Sequence, residues 1–145
     1  MQAFPHHYIV SATQEEDNVS LQSSGLQSLD SAAPAEFGGP GNLWSPETLF
    51  AASIANCFIL SFKAIATASR FSYSHISCEV EAILDRVDRV TRFTEVTIKP
   101  HLKLGVDDRL SVGEKLLHKA ETTCLITNSL TAVVNFHPEI TVEEG

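Results

Sequence analysis

The first 62 residues contain no lysine or arginine; Lys63 is the first basic side chain. With a formal net charge of −8, that absence argues against a general attraction to nucleic-acid phosphates or anionic lipid. Cysteine is scarce too. Cys57, Cys78 and Cys124 are too few for a disulfide framework. No CxxC or HxxxH pattern accompanies them, and the adjacent His6 and His7 would face opposite ways in a strand, so no metal site is expected. Walker, GxGxxG and GxSxG patterns are all missing, which leaves nucleotide and esterase readings without support and gives no reason to expect a cofactor. There is no internal repeat and no low-complexity tract. Residues 1–7 lack the basic stretch and apolar run of a signal peptide. The most apolar segment, residues 46–69, is interrupted by Glu47, Asn56 and Lys63. The expectations are a cytoplasmic location and no membrane partner.

What is present fits a soluble globular protein. The chain is 43% hydrophobic and 19% charged, and its 145 residues suffice for one domain, 1–145, with a true core. Residues 8–13, 19–22 and 26–29 read as strands of an antiparallel meander, with turns at 15–18 and 23–25. Residues 37–42 form a glycine-rich loop. Ser45-Pro46-Glu47 is a strong helix start, with a capping serine, a proline in the first position and an acid for the dipole. That helix is predicted to run to about Ser69. It is apolar nearly all round, so it needs cover on most sides, and a partner subunit is inferred.

A hairpin follows Arg70. Cys78, Val80, Ala82 and Leu84 share one face, as do Val96, Ile98, Leu102 and Leu104 on the return strand. The register that pairs Glu79 with Lys99 and Glu81 with Thr97 is preferred, because the alternative opposes Glu81 to Glu95. It leaves a three-residue turn, Asp88-Arg89-Val90. Asp107-Asp108 opens a second helix with Leu116, Leu117 and Ala120 inward and Lys115 and Lys119 outward. A short helix over 124–130 and closing strands at 132–136 and 139–142 complete an α+β order without regular βαβ alternation.

The cysteines carry the chemistry. Cys57 alone fits core packing, since free cysteine is among the most buried side chains, and Cys78 fits nothing else. Cys124, placed near a helix start, would have its thiolate favoured by free N–H groups. A thiol attacks peroxides only as thiolate and needs donors or positive charge beside it. Glu47 lies ten residues before Cys57, about 15 Å of helical rise, so the two cannot touch. It reads either as an ordinary first-turn acid or as the orienter of a guanidinium. The alternating charges of residues 85–92 read as a solvated hairpin tip.

Phe37-Gly38-Gly39-Pro40-Gly41, the run Ser45-Pro46-Glu47-Thr48-Leu49-Phe50-Ala51-Ala52 leading to Cys57, and His118-Lys119-Ala120-Glu121 leading to Cys124 and Asn128-Ser129-Leu130 together resemble the OsmC/Ohr family. These are thiol-dependent peroxidases of organic hydroperoxides, and the resemblance covers nearly the whole chain. It implies antiparallel sheets wrapped around long central helices in an intertwined homodimer. It also implies that Cys57 is the peroxidatic residue, Cys124 the resolving one, and Glu47 the acid that positions an arginine. The reductant it implies is an external dithiol of lipoyl type. Burial around Trp44, Phe50, Phe58 and Phe62 would favour organic over hydrogen peroxide. The hydroperoxide-resistance branch takes its activating arginine from the amino-terminal strands, which here hold none. His6, His7, or Arg86, Arg89 or Arg92 of a partner chain are the alternatives. The competing function is a non-catalytic redox sensor or apolar-ligand-binding protein on the same fold.

Overall fold

The computed structural model describes residues 2–105 and 109–143. Backbone contacts separate it into a unit ending at Phe50 and a unit starting at Ala51.

In the first unit β1 (Ser11–Glu15), β2 (Asn18–Gln22) and β3 (Leu29–Ser31) form an antiparallel meander. β1 begins three residues later than residues 8–13 suggest. Its partner β2 ends at Gln22, opposite Ser11, because the turn that follows, closed by Leu26 N–H donating to Ser23 O at 3.0 Å, takes the chain away. The same turn delays β3 to Leu29. Residues 8–10 are left exposed, Tyr8 at 86%. Beyond β3, a 3-10 turn at Ala35–Phe37 ends on Gly38 in the left-handed region (φ 87). At Gly39 a Cβ would coincide with the Ala33 carbonyl oxygen, so only glycine lets the loop close there.

Helix α1 (Pro46–Ala68) starts as the sequence indicates. Thr48 N–H donates to Ser45 Oγ at 3.1 Å, and Ser45 N–H donates to Thr48 Oγ1 at 2.8 Å, a reciprocal cap in which threonine stands where glutamate is usual. The helix is unbroken. By length and composition it is long and apolar enough to cross a bilayer, although the polar interruptions had argued otherwise. Its every-fourth-residue stripe Ile54, Phe58, Phe62 and Ala66 is buried, which is how a core helix packs.

In the second unit β4 (His75–Val87) and β5 (Val90–Leu104) form the long hairpin. Glu79 pairs with Lys99 and Glu81 with Thr97, as charge placement favours. The tip differs from expectation. A bulge between Ile83 and Leu84 shifts the register by one residue, and the turn is two residues, Asp88-Arg89, both at positive φ (52 and 67). Such a turn matches the twist of the flanking strands, and the bulge absorbs the odd residue. Val96, Ile98, Leu102 and Leu104 are all buried.

β6 (Val133–Phe136) and β7 (Glu139–Val142) both lie parallel to β5, along Glu95–Ile98 and His101–Leu104. This sheet is therefore mixed. The break between β6 and β7 falls beside Lys99-Pro100, where Pro100 has no N–H to offer a neighbour. Helix α2 (Leu110–Thr123) buries Leu116, Leu117 and Ala120 and leaves Lys115 and Lys119 exposed. The suggested start at Asp107-Asp108 lies outside the described residues. Of the short helix expected over 124–130, only a 3-10 turn at Thr127–Ser129 forms.

Candidate active site

Cys57 sits on α1, half-buried, and Cys124 is fully buried at the point where α2 ends. The two sulfurs, 67 positions apart in sequence, are in hydrogen-bonding contact. The sequence placed Cys124 near a helix start, with exposed N–H groups acting on its own sulfur. In the structure it is instead the C-terminal cap of α2 (φ −65, ψ 114). The chain then turns tightly: Asn128 N–H and the Thr127 hydroxyl both donate to Cys124 O at 3.0 Å. Ser129 closes the turn by donating its hydroxyl to Leu125 O at 2.8 Å. The first N–H groups of such a turn have no partner within it. Here the Leu125 and Ile126 amides are aimed at Cys57, not at Cys124.

That aim decides the electrostatics. Burial pushes the Cys57 thiol up. Against it stand the Ile126 amide, the Cys124 thiol, the Ser61 hydroxyl and the Leu125 amide, and the donors win, so Cys57 ionises below the usual thiol range. Cys124 moves the other way. Its burial dominates, only part is offset by the Thr127 hydroxyl and amide, and the neighbouring Cys57 raises it further. Of the pair, Cys57 thus gives up its proton the more readily and Cys124 keeps its own. Ser61 Oγ lies 4.0 Å from Cys57 Sγ. Sequence reasoning passed over Ser61, although its position four residues on places it on the same helical face. The amides of residues 125 and 126 carried no signal, because every residue but proline has one.

Glu47 stands in the first turn of α1. Its Oε1 is buried without a hydrogen-bond partner among the described residues. His6 hydrogen-bonds Tyr8 Oη at 3.3 Å and Gln2 O at 2.8 Å. The expected aromatic surround is only partly realised. Phe58 and Phe62 are core residues with 0% exposure, against Phe136 (5.7 Å between centroids) and Tyr73 (5.2 Å). Trp44 is 49% exposed, because its backbone, not its ring, is the bound part: its carbonyl accepts from Ala32 N–H at 2.9 Å. Among the described residues no three His, Cys, Asp or Glu side chains gather as a metal site.

Cys78 is half-buried on the core face of β4. Burial first, and the charge on Cys124 second, push its thiol up to about 11, partly offset by the Lys99 amide. A raised folded value means the stabilising contribution is complete below pH 9.0 and lost as pH climbs towards about 11. Urea midpoints measured across that range should therefore fall less steeply for Cys78→Ala than for the wild-type protein. An open cleft of about 450 Å³ runs past Cys78, lined also by Lys99, His101, His137 and Glu139. A second, of about 640 Å³, lies by the β1–β2 turn. Neither contains Cys57 or Cys124, so cavity size does not mark the reactive pair.

Fold and site together define a small α+β protein with a paired, unequally ionising dithiol. A family model of OsmC-like proteins matches residues 39–139, and the chain belongs to that family. It is 25% identical over 145 residues to the YmaD protein of Bacillus subtilis, covering 97% of both chains. Among solved structures it resembles an OsmC-like protein from Vibrio cholerae, with a TM-score of 0.82, 19% identity and coverage of 92% of this chain and 99% of that one. It also resembles an organic hydroperoxide resistance protein, OsmC, from Legionella pneumophila, with a TM-score of 0.76, 27% identity and coverage of 97% and 100%.

Proposed function

We propose that the protein is a thiol-dependent peroxidase of organic hydroperoxides, with residues 1–145 acting as one domain in a cytoplasmic homodimer. The observation that carries the reading is the asymmetry of the contacting dithiol, in which Cys57 is the more acidic thiol and Cys124 its hydrogen-bond donor. The name of the similar Legionella protein supports the choice of substrate class.

The Cys57 thiolate attacks the terminal peroxide oxygen. The O–O bond breaks, the alkoxide takes a proton and leaves as an alcohol, and the sulfur becomes a sulfenic acid. Cys124, already in contact, condenses with it; an S–S bond forms and water leaves. An external dithiol of lipoyl type then reduces the disulfide and restores both thiols. In this reading Glu47 is a positioning residue, its buried Oε1 being the acceptor for a cation. The homodimer is supported by α1, whose most apolar stretch is only 22% buried, since a helix apolar on nearly all sides calls for cover.

The competing reading is a sensor or apolar-ligand binder that is oxidised without turnover. One equivalent of cumene hydroperoxide should give an intramolecular disulfide in wild-type protein by intact mass. In Cys124→Ala it should instead leave a dimedone-reactive sulfenic acid on Cys57. With dihydrolipoamide present, the wild type should consume many equivalents. A single equivalent consumed, however much reductant is added, favours the sensor and refutes the peroxidase.

A further inference from the structure

Hydroxyl side chains in the helical turns of this chain bond back to the main chain. Thr123 donates to Lys119 O at 2.8 Å, Thr122 to Lys119 O at 3.0 Å and Ser129 to Leu125 O at 2.8 Å, the usual habit of serine and threonine in such turns. Among the described residues Ser61 departs from it. In the middle of α1 its Oγ lies 4.0 Å from the sulfur of Cys57, four residues back, where the others take a carbonyl oxygen. Asn56 and Lys63 on the same helix are exposed, whereas Ser61 is half-buried. A hydroxyl turned inward on so apolar a helix is costly unless a polar partner meets it.

The length of that contact is informative. At 4.0 Å the hydroxyl is only loosely bound to the bare sulfur. An oxygen bonded to the sulfur would lie much nearer. Carried towards Ser61 by one S–O bond, it comes within the roughly 2.7 Å of a good hydroxyl-to-oxygen hydrogen bond. The gap beside Cys57 therefore matches one added oxygen better than it matches sulfur alone. The other side-chain neighbour of the sulfur belongs to a different element. Cys124 reaches it from the end of α2, while Ser61 reaches it along α1 itself.

We propose that the Ser61 hydroxyl holds the oxygen that passes from the hydroperoxide to Cys57. That atom is the terminal peroxide oxygen before the transfer and the sulfenic oxygen after it, so one donor serves both states. The inference rests on the peroxidase reading and assigns its oxygen-binding residue. The Cys57 sulfur bonds to the terminal oxygen and the O–O bond breaks. Sulfur is oxidised by two electrons, the peroxide is reduced, and the departing alkoxide takes up a proton. Ser61 donates to the transferred oxygen throughout and keeps its own proton. Cys124 then attacks the sulfur in line with the S–O bond, so the hydroxyl has to be turned away from Cys124, and Ser61 fixes that orientation. The S–S bond forms, and the hydroxyl leaves with the Cys124 proton as water.

Two reagents acting on one sulfur separate this role from a general effect on the thiol. Iodoacetamide alkylates Cys57 and adds no oxygen to it; cumene hydroperoxide adds one. Both second-order rates are read at neutral pH by quenching and peptide mass spectrometry. Ser61→Ala, a change that favours helix, should slow oxidation of Cys57 about tenfold, the effect of one hydrogen bond in the transition state. It should slow alkylation much less, since two amides and Cys124 still act on the thiol. Ser61→Thr keeps a hydroxyl and should restore most of the oxidation rate. With hydroperoxide in excess, Ser61→Ala should also carry more sulfinic acid on Cys57, because a misplaced sulfenic hydroxyl waits longer for Cys124. Equal slowing of both reactions, or an unchanged oxidation rate, overturns the proposal and leaves the peroxidase reading standing. A wild-type Cys57 that hydroperoxide does not oxidise overturns both. A wild-type protein oxidised once without turning over refutes the peroxidase alone, and the two reagents still decide the role of Ser61.

Discussion

Replacing Cys57 by serine should lower cumene hydroperoxide consumption, measured with dihydrolipoamide, by about a thousandfold or more. A serine hydroxyl keeps the size and the hydrogen bonds to residues 61, 125 and 126. It cannot ionise at neutral pH, so those donors have no anion to favour. The loss should therefore appear in the rate of the peroxide step, with the fold unchanged by circular dichroism. pH separates the chemical from the structural role. Because the Cys57 thiol ionises below the usual range, the wild-type rate should level off at a lower pH than the reaction of an ordinary thiol and fall as acid protonates the thiolate. Cys78→Ala should retain the wild-type rate, since burial keeps that thiol protonated up to about pH 11. If Cys57→Ser consumes hydroperoxide as fast as wild type, the assignment of the nucleophile is wrong.

The largest effect on stability should come from Phe58→Ala, at about 3–5 kcal/mol. Phe58 is 0% exposed and lies 5.7 Å from Phe136 at 48°. Its removal takes away transfer free energy and an aromatic contact, and leaves a cavity between α1 and β6 that a strand pinned in a parallel ladder cannot collapse into. The melting temperature should drop by roughly 10 °C. Lys63→Ala, exposed on the same helix, should stay within about 0.5 kcal/mol of wild type. A Phe58→Ala midpoint as close to wild type as that control would show that the α1 stripe does not hold the core.

The parts of the structure that were legible in the sequence are those set by neighbours along the chain. Ser45 and Thr48 close the start of α1 because a cap needs only a hydroxyl three residues from its partner. The pairing of Glu79 with Lys99 followed from like-charge repulsion across one hairpin. The tip of that hairpin was misjudged because a bulge, which leaves no sign in the sequence beyond one surplus residue, changed the parity. The three-stranded meander was right in kind and displaced in bounds, since each strand ends where its partner does. The parallel seating of β6 and β7 could not be read at all. Two short apolar runs look the same whichever way they dock.

The site divides along the same line. The amino-acid order by itself determined that sulfur is the only candidate reactive chemistry, that Cys57 rides an apolar helix, and that no cation accompanies it in the first 62 residues. Only the tertiary structure decided which thiol is the more acidic. That choice depends on where two featureless backbone amides point after α2 ends, and on how deeply each sulfur is withdrawn from water; both are properties of packing, which no local pattern encodes.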